Sequence, residues 1–278
     1  MHTQEYRKHA AMKEIASLQN ATVKAIRALA MRKRREEEKL FVAEGVRHVL
    51  EALACGWRIQ TLVVQPDVLD WPQVQKAVAL CQAAGSEILL VKKDILQKMT
   101  KRENAETVVG VIQQQWQDLA SVTAADADTL WVALEQCRDP GNLGTIMRTT
   151  DAVGGQGIIL IDQTCDPYSP EAVRASMGSI ARMGFVRCGL PDFMAWQATW
   201  GGQIIGTHLK GAVDYRTVDY AKPTVLLMGN EQAGLTDAAC DMCDTRVKIP
   251  MVGGADSLNL AVATGVMLFE MRRHALVL

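Results

Sequence analysis

Residues 224–235 read TVLLMGNEQAGL. Thr224 to Met228 run apolar or β-branched without a break into a loop bracketed by Gly229 and Gly234, with Glu231 between them. A short apolar run with no polar alternation reads as a strand buried on both faces, the kind found in parallel sheets. In such sheets ligands bind beyond the carboxyl ends of the strands, so the loop matters more than the strand. Its glycines let a backbone approach a ligand closely, and Glu231 is an acceptor where a plain turn more often has Asp or Asn.

Two further loops of the same kind lie to either side. Upstream, the strand Leu130 to Leu134 runs into EQCRDPGNLGTIMRTTDAVG, residues 135–154. There Asp139-Pro140-Gly141-Asn142 is turn chemistry, and the helix that follows puts Arg148 about one and a half turns beyond Asn142. Read alone, this is a turn with a surface arginine. Downstream, residues 249–259 run from Ile249-Pro250-Met251 through Gly253-Gly254-Ala255-Asp256 to Ser257-Leu258-Asn259 and enter a last helix, Ser257 to His274. Ser257 is the expected N-cap, Asn259 an exposed first-turn residue, and Leu258, Val262, Gly265, Val266 and Phe269 form one apolar face.

The remaining elements alternate around these loops. Further strands are expected at Ile158 to Ile161, Gln203 to Gly206 and Arg246 to Ile249, and helices at Leu143 to Val153, Pro170 to Ser179 and Asp192 to Trp200. The pattern predicts an α/β domain over 130–278, a parallel sheet flanked by helices. Ahead of it, strands at Phe41 to Ala43, Thr61 to Val64, Ile88 to Val91 and Val108 to Ile112 alternate with helices at Val46 to Ala54, Gln73 to Ala84 and Ile95 to Thr100. This predicts a smaller α/β domain over 37–115, joined through a polar, acidic linker at 116–129. Residues 1–36 read as a helical extension, with Ile15, Leu18, Val23, Ile26 and Leu29 at broken helical spacing.

The net charge of −1 hides an asymmetry: residues 1–50 hold 11 Lys or Arg against 6 Glu, a balance of +5, which leaves −6 for the rest. The densest run, Arg32-Lys33-Arg34-Arg35, is followed at once by Glu36-Glu37-Glu38, so it reads as a solvated helix with i to i+4 ion pairs, and a nucleic-acid footprint needs support from elsewhere.

With 278 residues, 49% hydrophobic and 22% charged, the chain is globular rather than disordered and long enough for two cores, which excludes peptides, disulfide miniproteins and lone binding modules. The seven cysteines, an odd number without framework spacing, read as reduced thiols, and Cys240-x-x-Cys243 has no second pair or neighbouring His to make a metal site. No apolar run approaches the roughly 20 residues of a membrane helix, and residues 1–20 lack the apolar core of a secretory signal, so a cytoplasmic location is expected.

The three loops, in this order, resemble the motifs of the SpoU (TrmH-type) branch of the SPOUT RNA methyltransferases: N-x-G-x-x-x-R at Asn142, Gly144 and Arg148, G-x-E-x-x-G at Gly229, Glu231 and Gly234, and I-P-M with S-L-N at Ile249, Pro250, Met251, Ser257, Leu258 and Asn259. The resemblance covers about the last half of the chain. Phe41 to Arg47, FVAEGVR, is similar to the start of the substrate-binding domain many members carry in front, akin to a ribosomal-protein RNA-binding fold. The resemblance implies a deep trefoil knot, a homodimer, and S-adenosylmethionine held by Thr207, Gly229, Ile249, Met251, Ser257 and Leu258. It implies transfer of a methyl group to a ribose 2′-hydroxyl, most naturally in ribosomal RNA, with Arg148, Asn142, Glu231, Ser257 and Asn259 at the site and Arg32, Lys33, Arg34, Arg35 and Arg47 against RNA. Arg148 is the family's essential arginine, and since a guanidinium has no lone pair to accept a proton, a clamp on phosphate and developing alkoxide suits it better than a base. Asn142 would hold Arg148 or the ribose, Glu231 would order its loop or the arginine, and Ser257 and Asn259 would bond substrate and the knot turn.

Other readings predict different residues. A Rossmann-type site would draw on Gly154-Gly155-Gln156-Gly157 and Asp162, but no G-x-G-x-x-G lies between a strand and its helix. A non-catalytic RNA binder explains the basic front but gives no reason for Glu231 or Ser257 to Asn259. A transfer RNA substrate of the same family stays open.

Overall fold

The computed structural model describes residues 12–208, 212–220, 223–254 and 256–276. The first 11 residues of the basic extension, Ala255 of the third loop, and Val277 and Leu278 lie outside the described residues. The chain divides into two compact units, 1–114 with 168–181, and 115–167 with 182–278.

The first unit comprises β1 (Lys13–Ile15), α1 (Ala21–Ala28), α2 (Arg32–Glu38), β2 (Leu40–Glu44), α3 (Val46–Ala54), β3 (Ile59–Val64), α4 (Pro72–Ala83), β4 (Glu87–Val91), α5 (Lys93–Thr100) and β5 (Val108–Gln113). Among the described residues its five strands are ordered β1-β4-β3-β5-β2, with β5 antiparallel to both neighbours and the other pairings parallel.

The expected helical extension is not separate from this unit. Ile15 lies in β1, which pairs with β4, and Ile15, Val23, Ile26 and Leu29 share a core with Val63, Leu89 and Val109. The break at Gln19-Asn20 is where strand gives way to helix: Asn20 caps α1, its side chain accepting from Thr22 N at 2.8 Å. Residues 168–181 also belong here. Tyr168 is fully buried against Phe41 and Trp57, with ring centroids 4.8 and 6.4 Å away. Beyond it, α7 (Pro170–Ala175) carries Arg174, which with Arg102 flanks the buried carboxylate of Glu44 at 3.5 and 3.1 Å. The helix expected over Pro170 to Ser179 stops early because Met177 and Gly178 take positive φ values of 52° and 99°.

The second unit comprises β6 (Leu130–Glu135), α6 (Pro140–Ala152), β7 (Gly157–Ile161), β8 (Gly184–Cys188), α8 (Leu190–Trp200), β9 (Gln203–Thr207), β10 (Val213–Asp214), β11 (Thr224–Met228), α9 (Asp237–Asp241), β12 (Thr245–Lys248) and α10 (Leu260–Met271). Among the described residues its seven strands, ordered β10-β12-β9-β11-β6-β7-β8, pair in parallel throughout. Buried β6, β7 and β11 are apolar along their length, as a sheet covered on both faces requires. The edge strand β8 was not expected from the sequence: GFVRC has an exposed Arg187 and opens on glycine.

The expected linker is part of this unit. Gln117 bridges to Val186, and Val122 is buried in the core beside Trp131, Trp196 and Trp200. Among the described residues no helix is long and apolar enough to cross a membrane, and no group of three or more His, Cys, Asp or Glu is placed to hold a metal.

Candidate active site

The three loops singled out in the sequence follow β6, β11 and β12, and hydrogen bonds join the first two to each other and to the start of α10. Asp139 caps α6, accepting from Asn142 N at 2.6 Å, with Pro140 at the first helical position, where a missing N–H costs nothing. The Asn142 side chain is held on two sides: its Nδ2 donates to Glu231 Oε1 at 3.4 Å, and its Oδ1 accepts from Asn259 Nδ2 at 3.0 Å. Asn259 in turn accepts from Ala261 N and Val262 N at 2.9 and 3.2 Å and so is the N-cap of α10.

This corrects the expectation for Ser257. The helix begins three residues later than expected, because Asn259 caps it and leaves Ser257 and Leu258 free to line a cavity.

The glycine-bracketed loop is a tight turn closed on itself. Asn230 N and Gly234 O are 2.9 Å apart, Gly234 N and Asn230 O 3.0 Å, and Gly234 adopts φ 73°. A Cβ on Gly229 would sit 2.1 Å from the Gly234 carbonyl carbon and 2.2 Å from Leu235 N. Gly229 is therefore required by the loop's own backbone, not by space left for a ligand. Asn230, which the sequence reading passed over, pins the turn: its Oδ1 accepts from Gln232 N and Ala233 N, and its Nδ2 donates to Gln136 O at 2.9 Å. Glu135, buried at the end of β6, accepts from the backbone and hydroxyl of Thr236 at 2.9 and 2.7 Å and so ties the start of α9 to the first loop.

Burial alone would push the Glu231 carboxyl up. Hydrogen bonds from its own N–H, from Asp139 N–H, from the Asn142 amide and from Arg138 N–H outweigh burial, so its pKa is lowered and the group is a carboxylate at neutral pH.

All six residues expected to hold a cofactor, Thr207, Gly229, Ile249, Met251, Ser257 and Leu258, line one cavity of about 430 Å³. Glu231 is in its wall. His208 and Lys248 line it as well; both sit at the ends of parallel strands, and that position was the signal that could have flagged them. Asn142 adjoins through its bond to Glu231, and Asn259 through its bond to Asn142; the structure places neither in the cavity wall.

Arg148 is exposed on α6 and makes no hydrogen bond or ion pair with the described residues. The expected grip of Asn142 or Glu231 on Arg148 is absent, because the Asn142 amide is committed to Glu231 and Asn259. Both guanidinium edges are open to an incoming anion.

The expected RNA contacts divide. Arg32 pairs with Glu36 at 2.9 Å, Lys33 with Glu37 at 3.9 Å and Arg34 with Glu37 at 2.9 Å, the ion-paired helix of the plain reading. Arg35 is buried at 3% exposure, with Nη1 donating to Leu29 O and Ala30 O at 2.8 and 2.9 Å. It is a structural arginine closing the end of α1 and is withdrawn as an RNA contact. Arg47 is exposed on α3.

The apolar face of α10 is also the reverse of the expected one. Leu260, Ala261, Thr264, Met267, Leu268 and Met271 are buried, whereas Val262 and Phe269 of the expected stripe are 53% and 52% exposed. Cys240, buried, and Cys243, half-buried, fit ordinary thiols: loss of solvent pushes Cys243 up to about 12 and also raises Cys240.

Comparison with known proteins bears on the whole chain. The sequence model of the SpoU rRNA Methylase family matches residues 129–269, and that of the MRM3-like substrate binding domain matches residues 20–110. A 23S rRNA (uridine(2479)-2′-O)-methyltransferase of Streptomyces viridochromogenes is 34% identical over 88% of this chain and 87% of its own. A 23S rRNA (guanosine(2553)-2′-O)-methyltransferase of Bacillus subtilis is 27% identical over 94% of this chain and all of its own. Among solved structures, an AdoMet-bound rRNA methyltransferase from Sinorhizobium meliloti superposes with a TM-score of 0.90 at 48% identity, covering 96% of this chain and 99% of that one.

Proposed function

Because the chain belongs to the SpoU rRNA methylase family, we propose that it is an S-adenosylmethionine-dependent RNA methyltransferase that methylates a ribose 2′-hydroxyl, with ribosomal RNA as substrate. The observation that carries this is the joining of three separate loops into one site: a cavity lined by Thr207, Met251 and Leu258, with Glu231 in its wall bonded to Asn142 on α6, the helix that also carries the exposed, unengaged Arg148. A 430 Å³ cavity is within the size of small-molecule sites, and its glycine-rich rim and apolar Met251 and Leu258 suit a ligand with both polar and thioether parts.

S-adenosylmethionine, when bound, supplies the electrophilic methyl group. The protein's task is then alignment and removal of a proton from a poor acid. Arg148 presents five N–H donors and no acceptor, so it clamps the substrate phosphate and stabilises the developing alkoxide. Glu231 is saturated by donors and stays ionised; it fixes Asn142 and the Asp139 turn instead of taking the proton. The proton passes to phosphate or water.

The first unit, with exposed Arg47 and the half-exposed Arg102 and Arg174, serves as the RNA-binding part. The knot and the homodimer belong to the same proposal, as does a cytoplasmic location. The strand order supports the knot: β11 lies between β9 and β6 while β12 returns beyond β9, and α10 then packs on α6. The outward stripe of Val262 and Phe269 supports the dimer, since an exposed aromatic and a valine on one helix are what a twofold contact covers. Sedimentation of the wild-type chain and of Phe269→Asp checks this: a dimer and a monomer are expected, and a monomeric wild type rejects it.

Titration with labelled S-adenosylmethionine separates this function from plain RNA binding. Saturable binding is expected, and its absence favours the RNA binder.

A further inference from the structure

Beneath the Glu231 turn lie two cysteines that the methyl-transfer chemistry does not use. Cys137 follows β6 and is fully buried, with its Sγ 3.7 Å from Glu231 Oε1 and 3.9 Å from Asp139 O. Cys165, in the loop after β7, is half-buried, and its N–H donates to Cys137 O at 2.8 Å. Covalent geometry on either side of that bond keeps the two Cα atoms within about 6.7 Å, inside the limit of roughly 6.8 Å that a disulfide spans. The neighbouring Cys165 thiol, together with burial, pushes the Cys137 thiol up.

We propose that Cys137 and Cys165 form a reversible disulfide that switches off methyl transfer by dislodging Glu231. The proposal rests on the methyl-transfer function argued above. The oxidant is a low-molecular-weight disulfide. The half-buried Cys165 thiolate attacks one of its sulfurs, its S–S bond breaks, and one thiol leaves. The Cys137 sulfur then attacks the Cys165 sulfur of the mixed disulfide, whose S–S bond breaks, and the Cys137 proton passes to the departing thiolate, which leaves as the second thiol. Two cysteine thiols are oxidised by two electrons, and one small disulfide is reduced to two thiols.

The consequence follows from the contacts of Cys137. A bond of about 2.05 Å to Cys165 draws Sγ off Glu231 Oε1 and shifts the Gln136 to Asp139 turn. That turn supplies the Asp139 N–H that bonds Glu231, and its Asp139 side chain caps α6 by accepting from Asn142 N. Disturbing it uncouples Asn142 from both Glu231 and Asn259.

The test uses the full chain, treated with oxidised glutathione or with dithiothreitol, with three readouts: peptide mapping of disulfides, S-adenosylmethionine binding and methyl-transfer rate. A Cys137–Cys165 linked peptide is expected with a fall in rate of tenfold or more, reversed by dithiothreitol. Cys165→Ser should keep the reduced-state rate and lose the sensitivity, while Cys240→Ser stays sensitive. The proposal is overturned if no 137–165 link forms, if the linked protein keeps its rate, or if Cys165→Ser is inhibited as strongly as wild type. A dithiothreitol-treated protein that binds the cofactor but transfers no methyl group counts against the assigned function instead, and the peptide map still reports whether the link forms.

Discussion

Asn259 Nδ2 donates to Asn142 Oδ1 across 3.0 Å, linking two residues 117 positions apart. The same Asn259 caps α10 through its Oδ1, and the same Asn142 donates to Glu231. One amide therefore sets where a helix starts and where a second amide points, so stability and site geometry pass through a single side chain.

The two jobs of Asn259 separate by substitution. Asn259→Ala should cost about 1 kcal/mol of stability for the lost cap and lower kcat/KM about three- to tenfold for the lost bridge. Asn259→Ser retains a capping oxygen but has no amide to reach Asn142, so denaturation should show recovered stability while kinetics show no recovery. Recovery of both would mean the bridge carries nothing.

Glu231 gives a pH prediction with a definite sign. Its pKa is lowered in the folded protein, so its contribution is present above the ordinary glutamate value of about 4.3 and is lost as pH falls through the lowered folded value. Glu231→Gln should lose about ten- to a hundredfold in activity, as expected for a charged hydrogen-bond acceptor. Melting curves of wild type and variant should stay separated from pH 7 to pH 5 and converge only in stronger acid. Convergence near pH 6 would show that Glu231 is not held as a carboxylate.

Gly229 and Leu258 should fail in different ways. Gly229→Val drives a side chain into the Gly234–Leu235 backbone, so loop order and cofactor binding should go together. Leu258→Trp fills the cavity from an exposed loop position and should abolish S-adenosylmethionine binding with melting temperature unchanged. Calorimetric titration alongside thermal melting reads both; undiminished binding by Leu258→Trp removes it from the site.

Within the basic run, Arg35 should differ from its neighbours. Arg35→Ala should cost about 2–3 kcal/mol because two buried carbonyl bonds and packing are lost. Lys33→Ala should cost less than about 0.5 kcal/mol. Neutralising Lys33 and Arg47 together should flatten the salt dependence of RNA affinity by roughly 0.7–0.9 for each phosphate that is no longer neutralised. An unchanged slope returns the run to a solvated helix.

Sequence and structure diverge at particular residues, for identifiable reasons. Thr224 to Met228 was legible because a strand buried on both faces leaves an uninterrupted apolar run, and the turn residues of all three loops carry their own chemistry. Asn259 was misread because Ser257 is an equally good cap in isolation, and only the bond to Asn142 from a distant loop decides between them. The face of α10 was inverted because the helix is apolar nearly all round, so periodicity does not choose a side. Arg35 reads as surface charge in any short window; its burial depends on the end of α1. Tyr168 and its segment gave no sign in one dimension that they complete the core of the first unit, since Tyr168 meets Phe41 from 127 positions away.

The central claim is transfer of a methyl group to a ribose 2′-hydroxyl at the site built by Asn142, Arg148 and Glu231. It is tested most directly by incubating the protein and Arg148→Ala with methyl-labelled S-adenosylmethionine and ribosomal RNA, then digesting the RNA with alkali. A 2′-O-methyl blocks cleavage at its own linkage, so label in an alkali-resistant dinucleotide from the wild type, and none from Arg148→Ala, is the predicted result. Label released on a mononucleotide base, or equal transfer by Arg148→Ala, would contradict it.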